Sequence, residues 1–383
     1  MTLPLDYDIL RLIWWLFLGV LLIGFAIMDG FDLGVATLLP FVARSDIERR
    51  VAINTVGPVW DGNQVWLILG AGAIFAAWPT IYATAFSGFY IALFLVLASL
   101  ILRPTGFDFR NKIGDARWRS FWDWALCAGG LVPSLVFGVA FGNLLQGVPF
   151  RIDPTMRIFY EGGGLFELLN PFGLVAGMVS LAMLTTHGAV YLTLKGDGPV
   201  KDRARRIAMT GALATLVLFA LAGLWQALAI DGYVLQHAAA PDGPSNPLLK
   251  EVVRQKGAWL ANYGRHPWMT LAPAIGLFAP VATALLIRAG RTLAAFVTSA
   301  LTLFGVIATA GVSMFPFLMP SSIAPAASLT VWDASSSQRT LFVMLVATLV
   351  LLPLVIAYTG FVFRVLKGPV TADRIRSNPT GHY

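Results

Sequence analysis

Nine stretches of this chain stay apolar for about twenty residues or more, with limits near 9–29, 58–78, 80–102, 121–145, 164–194, 206–230, 267–287, 292–313 and 339–363. A run of that length, coiled as an α-helix, matches the thickness of a bilayer core. The runs are continuous rather than alternating, so helices and not a barrel are the means of satisfying backbone groups in lipid. The expected fold is an all-α polytopic membrane protein of about nine transmembrane helices, with residues 1–383 as a single integral membrane domain. Composition agrees: 57% of residues are hydrophobic and 12% charged, and mean hydropathy is +0.74.

The formal net charge of +7 does not point to nucleic acid, because the basic residues fall in short segments between spans, where they set topology. With nine spans and the N-terminus outside, the inner segments are 30–57, 103–120, 195–205, 288–291 and the C-terminal tail. These inner segments and their edges hold about threefold more Lys and Arg than the outer loops, which carry Arg151, Arg157, Lys250, Arg254, Lys256 and Arg265. The bias alternates loop by loop and predicts an N-out, C-in topology. Met1 to Asp8 lacks the basic n-region of a signal peptide, so the first span is expected to be retained. The longest outer loop, about 231–266, is read as carrying a short surface helix near Lys250 to Lys256. No repeat period of 20 to 50 residues is present.

Three polar constellations interrupt the apolar pattern. The first is Gly57-Pro58-Val59-Trp60-Asp61-Gly62-Asn63-Gln64-Val65-Trp66-Leu67, which opens the second span. A carboxylate at the start of a membrane helix is costly unless something polar answers it. Asp61 serves either as a helix N-cap between interfacial tryptophans or as a hydrated polar entry into the helix. A cap needs only one acceptor and does not explain Asn63 and Gln64. The second is Met28-Asp29-Gly30-Phe31-Asp32-Leu33-Gly34, read as the inner end of the first span. Its acids share a face if the helix continues, or are solvated if it breaks at the glycines. The third is Arg103-Pro104-Thr105-Gly106-Phe107-Asp108 at the inner end of the third span. Topology brings Asp29, Asp32, Asp61 and Arg103 to one membrane face, an arrangement suited to proton entry or a buried charge network. Asn143, Gln146, Glu167 and Asn170, with the turn Phe315 to Ser322, lie near the other face and are read as structural.

Of the four histidines only His187 lies within a span; His237, His266 and His382 fall at loops, edges or the tail. One such residue without a partner at helical spacing gives no axial pair for a haem. The single cysteine, Cys127, excludes an intrachain disulfide and an iron–sulfur cluster held by this chain alone. No nucleotide-binding loop, zinc pattern or Ser-His-Asp arrangement is present.

These motifs together resemble the subunit II family of cytochrome bd ubiquinol oxidase along nearly the whole length. The residues that carry the resemblance include Arg11 to Trp15, Gly24 to Gly34, Trp60 to Leu67, Phe75 to Pro79, Phe86 to Tyr90, Arg103 to Asp108, Gly138 to Phe150, Asn170 to Gly173, Ile230 to Tyr233, Phe315 to Ser322 and Leu329 to Ala334. The resemblance implies a non-haem subunit of an electrogenic respiratory oxidase that takes electrons from quinol and reduces dioxygen to water. It implies a multi-pass protein of the bacterial cytoplasmic membrane, built as two four-helix bundles with one peripheral helix. It implies a partner, subunit I, bearing two haems b and one haem d, together with one or more small single-span subunits, membrane lipid, and in some members a structural quinone in subunit II. The family's proton path is assigned to the position of Asp61, and its oxygen route to the neighbourhood of Trp66. His187 departs from the family pattern and is not read as a ligand. A secondary transporter, whose glycine-broken helices also carry membrane acids, is the alternative; a passive scaffold is a third reading.

Overall fold

The computed structural model describes residues 4–162, 164–237 and 240–377; His382 lies outside the described residues. The first half holds α1 (Tyr7–Val42), α2 (Asp46–Val56), α3 (Trp60–Ala77), α4 (Pro79–Gly88), α5 (Tyr90–Phe109) and α6 (Ala116–Gln146). A hairpin of β1 (Phe150–Ile152) and β2 (Ile158–Tyr160) and a short α7 (Leu165–Leu168) lead into α8 (Pro171–Lys195) and α9 (Gly198–Ala229). Then come β3 (Asp231–His237), β4 (Glu251–Lys256), α10 (Ala261–Arg265), α11 (Leu271–Arg288) and α12 (Thr292–Met314). The chain closes with β5 (Phe317–Met319), β6 (Leu329–Thr330), α13 (Gln338–Val365) and α14 (Ala372–Ser377).

Among the described residues eight helices are long and apolar enough to cross a membrane: α1, α5, α6, α8, α9, α11 with the turn before it, α12 and α13. The ninth expected span, 58–78, does form a helix, α3. Its first turn, Trp60-Asp61-Gly62-Asn63-Gln64, dilutes the apolar run and keeps it out of the eight.

The helices pack in two groups. In the first, α1 packs on α3 and α6, and α5 on α6; in the second, α8 packs on α9 and α12, and α11 on α9 and α12. The groups meet where α1 and α6 lie against α8. Helix α13 packs chiefly on the flank formed by α1 and α3 and keeps most of its apolar surface exposed, as the expected peripheral helix would. Close approach depends on small residues, the usual device where helices must pack without a hydrophobic driving force from water. A Cβ on Gly34 would fall 2.2 Å from the Leu184 carbonyl oxygen, and one on Gly305 would fall 2.3 Å from the Gly276 nitrogen. Neither position accepts alanine without the helices separating.

Three expected boundaries change. The first span does not end at Asp29: α1 runs on through both glycines to Val42, with Pro40 in its last turn. Leaving the helix at Gly30 would strand backbone groups in a region walled by α6 and α8, whereas continuing it satisfies them internally. Likewise the third span does not stop at 102: α5 runs on to Phe109, and Arg103 to Asp108 form its last turns, at the end of the helix where they were expected. The expected surface helix at Lys250 to Lys256 is instead strand β4, paired antiparallel with β3. Glu251-Val252-Val253-Arg254 holds β-branched residues and buries Val252 while leaving Glu251 exposed, a pattern that suits a strand better than one helical turn.

All three hairpins sit at one end of the bundle, where Val148 bridges to Ser321 and the Tyr233 hydroxyl donates to the Gln146 carbonyl. The opposite end carries the α1–α2, α5–α6, α8–α9 and α11–α12 turns, and with them Arg49, Arg110, Arg117, Lys195 and Arg288. The two ends thus differ in charge as the loop bias requires.

Candidate functional site: a buried charge cluster between α1, α3 and α5

Asp29 and Asp32 project from the middle of α1, three residues apart and hence on neighbouring positions of one face. Arg103 projects from α5 and meets them. Its Nη1 donates to Asp29 Oδ2 at 2.9 Å and its Nη2 to Asp29 Oδ1 at 2.7 Å, a two-pronged pair. The same Nη2 lies 3.9 Å from Asp32 Oδ2. Asn63 of α3 closes the cluster by donating its Nδ2 to Asp32 Oδ2 at 2.8 Å. The side chains of Asp29, Asp32 and Arg103 are fully removed from solvent, at 0% exposure each. Among the described residues Asp32 Oδ1 and Arg103 Nε have no hydrogen-bond partner.

The local sequence makes room for this. Gly129 on α6 faces Arg103: a Cβ there would sit 3.1 Å from Arg103 Cγ and 2.9 Å from the Ser99 carbonyl oxygen. Its neighbour Gly130 abuts α1, where a Cβ would fall 2.3 Å from the Leu33 carbonyl oxygen. The glycine pair therefore lets α6 hold α5 and α1 close enough for one guanidinium to bridge them. Arginine suits the place because its planar fork matches a carboxylate edge with two parallel bonds.

Of the residues singled out from sequence, the structure joins Asp29, Asp32 and Arg103 and leaves Asp61 outside. Asp61 is exposed on the first turn of α3, and among the described residues it accepts no hydrogen bond and pairs with no cation. The N-cap of α3 is Val59, so the capping reading of Asp61 does not hold. Asn63, two residues further on, carries the contact from that turn into the buried cluster. Trp66 is half-buried and lays its ring on Gly24, where a Cβ would come within 2.6 Å of the ring. The polar residues near the hairpin end bond to one another: Asn170 caps α8 through Gly173 N, Asn143 and Gln146 both bond to Asn170, and Asn143 also donates to Leu168 O. His187 is buried with Nδ1 2.8 Å from Ser299 Oγ and Nε2 3.1 Å from the Ile27 carbonyl oxygen, so both ring nitrogens are engaged.

A second cluster escaped the sequence reading. Asp123 of α6 takes Arg110 Nε at 2.6 Å and Arg49 Nη1 at 2.7 Å, and Arg110 also reaches Asp46 at 2.9 Å. The signal was present: Asp123 lies inside the expected span 121–145, and an ionisable residue within a span needs an answer. Among the described residues no group of three or more His, Cys, Asp and Glu is placed to hold a metal ion.

Comparison with known proteins gives these features a setting. A family model described as cytochrome bd terminal oxidase subunit II matches residues 10–366. The chain is 53% identical over 379 residues to the cytochrome bd-I ubiquinol oxidase subunit 2 of Escherichia coli (strain K12), a match covering 99% of this chain and 100% of that one. It is 50% identical over 379 residues to the probable cytochrome oxidase subunit 2 of Haemophilus influenzae, with the same coverage. In fold it is similar to a chain of the bd oxidase from Geobacillus thermodenitrificans, with a TM-score of 0.69 at 18% identity, covering 93% of this chain and 98% of that chain.

Proposed function

The chain belongs to the cytochrome bd terminal oxidase subunit II family, and from that premise we propose how its buried charges serve a quinol oxidase. It is a multi-pass subunit of a cytochrome bd-type quinol oxidase of the bacterial inner membrane, and it works beside a haem-bearing partner subunit. The transporter reading finds no support once the family match spans residues 10–366. In the finer reading the partner holds two haems b and a haem d, one or more single-span subunits complete the complex, and a quinone serves this subunit as a structural lipid. The hairpin end faces outward and the basic end faces the cytoplasm, in keeping with the positive-inside rule.

Within this frame Asp61 admits protons from the basic end, and Asp32, Asp29 and Arg103 form the buried network that Asp61 feeds. The observation that carries the reading is the contact of Asn63 with Asp32, because it links the exposed turn bearing Asp61 to a cluster with no solvent exposure. Asp32 Oδ1, buried without a hydrogen-bond partner among the described residues, supports it as an acceptor site for a transferred proton or its carrier water. Trp66, one turn beyond Asn63 on α3, lies on the proposed route of oxygen. Protons are consumed as dioxygen becomes water, so a relay carboxylate must titrate, whereas a structural one needs only to accept hydrogen bonds.

Asp61→Asn in the intact complex separates these roles. Among the described residues Asp61 makes no hydrogen bond or ion pair that asparagine would lose, so haem content and assembly are expected to match the parent. Quinol oxidase turnover is expected to fall at least tenfold. Parental turnover with parental proton uptake would return Asp61 to an idle surface position.

A further inference from the structure

We propose that the open groove between α5 and α6 at the basic end binds one anionic phospholipid, its phosphate on Arg117 and its acyl chains along α5 and α6. The groove has a volume of about 630 Å³ and is lined by Leu102 of α5 and by Arg117, Ser120, Phe121, Trp124 and Ala125 of α6. Arg117, Ser120, Phe121 and Trp124 follow the i, i+3, i+4, i+7 spacing that aligns side chains on one helix face. A cation and a hydroxyl therefore stand at the mouth, and aromatic and aliphatic walls run inward from them. That order of chemistry matches a lipid read from headgroup to chain.

The level in the membrane fits as well. Phe121 and Trp124 are 60% and 54% exposed. Phe41 packs edge-on to Trp124 at 6.0 Å, and Trp118, Trp122 and Phe109 continue the ring of aromatics around the same end. Such belts mark the headgroup region. Charge completes the case. Among the described residues the Arg117 guanidinium has no carboxylate partner, whereas Arg110, Arg49 and Arg119 of the neighbouring cluster are all paired with Asp46 or Asp123. The nearest acid in sequence, Asp115, is engaged by the Arg117 backbone N–H as the cap of α6. Asp108 is exposed on α5 and lines no part of the groove. An unpaired cation at the rim of an apolar groove is complementary to a phosphate diester, and each such residue near a membrane surface favours anionic lipid about fivefold.

The test uses the intact oxidase complex, delipidated in detergent and titrated with phosphatidylglycerol, with bound lipid counted by native mass spectrometry. Arg117→Gln is expected to retain about fivefold less phosphatidylglycerol at subsaturating lipid, and Lys112→Gln, which removes an equal charge outside the groove, is expected to match the parent. Equal retention by Arg117→Gln and the parent, or an equal loss in Lys112→Gln, would overturn the proposal. A benzophenone probe on Phe121→Cys, in a chain whose sole native cysteine, Cys127, is buried, is expected to crosslink phospholipid. A crosslink to another subunit instead would show that protein fills the groove and would also overturn it. Neither measurement depends on the role given to Asp61.

Discussion

Arg103 and Arg11 are both buried arginines on membrane-length helices, and they are satisfied in opposite ways. Arg103 stands against packed helices and is answered by side chains, Asp29 above all. Arg11 stands near the hairpin end and, among the described residues, has no carboxylate within ion-pair distance. Its guanidinium donates to the backbone carbonyls of Pro241 and Gly243 and to the hydroxyls of Ser245 and Ser335, and it lies 3.6 Å from the ring centre of Tyr7. The difference follows from where free acceptors exist. Inside a helical bundle the carbonyls are already used by the helix, so a cation there requires a carboxylate. Beside irregular loops the carbonyls are free, and a cation can fasten the loop without an acid. Lys250 shows the intermediate case, taking both the Pro247 carbonyl and the Asp333 carboxylate.

The strongest test of this contrast is to remove each arginine. Arg103→Met would leave Asp29 and Asp32 buried without a cation, a loss of about 3–5 kcal/mol, and the subunit is expected to disappear from the assembled complex on a native gel. Adding Asp29→Asn to Arg103→Met removes most of the uncompensated charge and is expected to restore much of the assembly. If the double variant is no better than Arg103→Met alone, the pair does not balance charge as described.

Arg11→Met is expected to be milder, at about 1–3 kcal/mol, because what it abandons are neutral carbonyls that water can reach once the loop lifts. The signature is local: faster protease cleavage within residues 240–250 of a complex that still assembles. Loss of assembly equal to that of Arg103→Met would erase the distinction between the two arginines.

The smallest expected effect lies at the basic end, on α2. Glu48 accepts two bonds of 3.0 Å from Arg203 and further bonds from the N–H groups of Arg44 and Ser45. The Arg203 guanidinium, helped by those N–H groups, holds its pKa at about 2 instead of 4.5. A carboxylate depressed on folding contributes fully above the unfolded value and loses that contribution as pH falls toward the folded one. Glu48→Gln is therefore expected to lower the melting temperature of the complex slightly at neutral pH, and the gap from the parent should close between about pH 4.5 and pH 2. A gap that persists in acid would assign it to the lost cap and not to the charge.

The sequence showed which residues needed partners but not which partners they would find. Asp29, Asp32 and Arg103 are legible because an ionisable group in an apolar run is conspicuous. Asn63 as the partner of Asp32 is not, since it depends on how α3 rolls against α1. Placing Asp61 with Arg103 rested on the order of the spans, and order along the chain fixes neighbours but not rotation about a helix axis. The end of α1 was misplaced for a related reason: Gly30 and Gly34 look like a break in isolation, yet they are where α8 comes close, with Leu184 against both and Gly188 against Gly34.

The membrane class, the family, the alternation of basic loops and the presence of ionisable residues within apolar runs are all legible in the chain alone. Each of these is written in composition, in motif or in a periodicity that spans many residues, so no single contact decides it. Packing in three dimensions settles that Arg103 pairs with Asp29, that Asp61 stands apart, that Arg11 is held by loop carbonyls, and that β4 is a strand. Those outcomes turn on the rotation and spacing of packed helices and on which backbone acceptors remain free after the helices form, quantities that a local stretch of sequence does not contain.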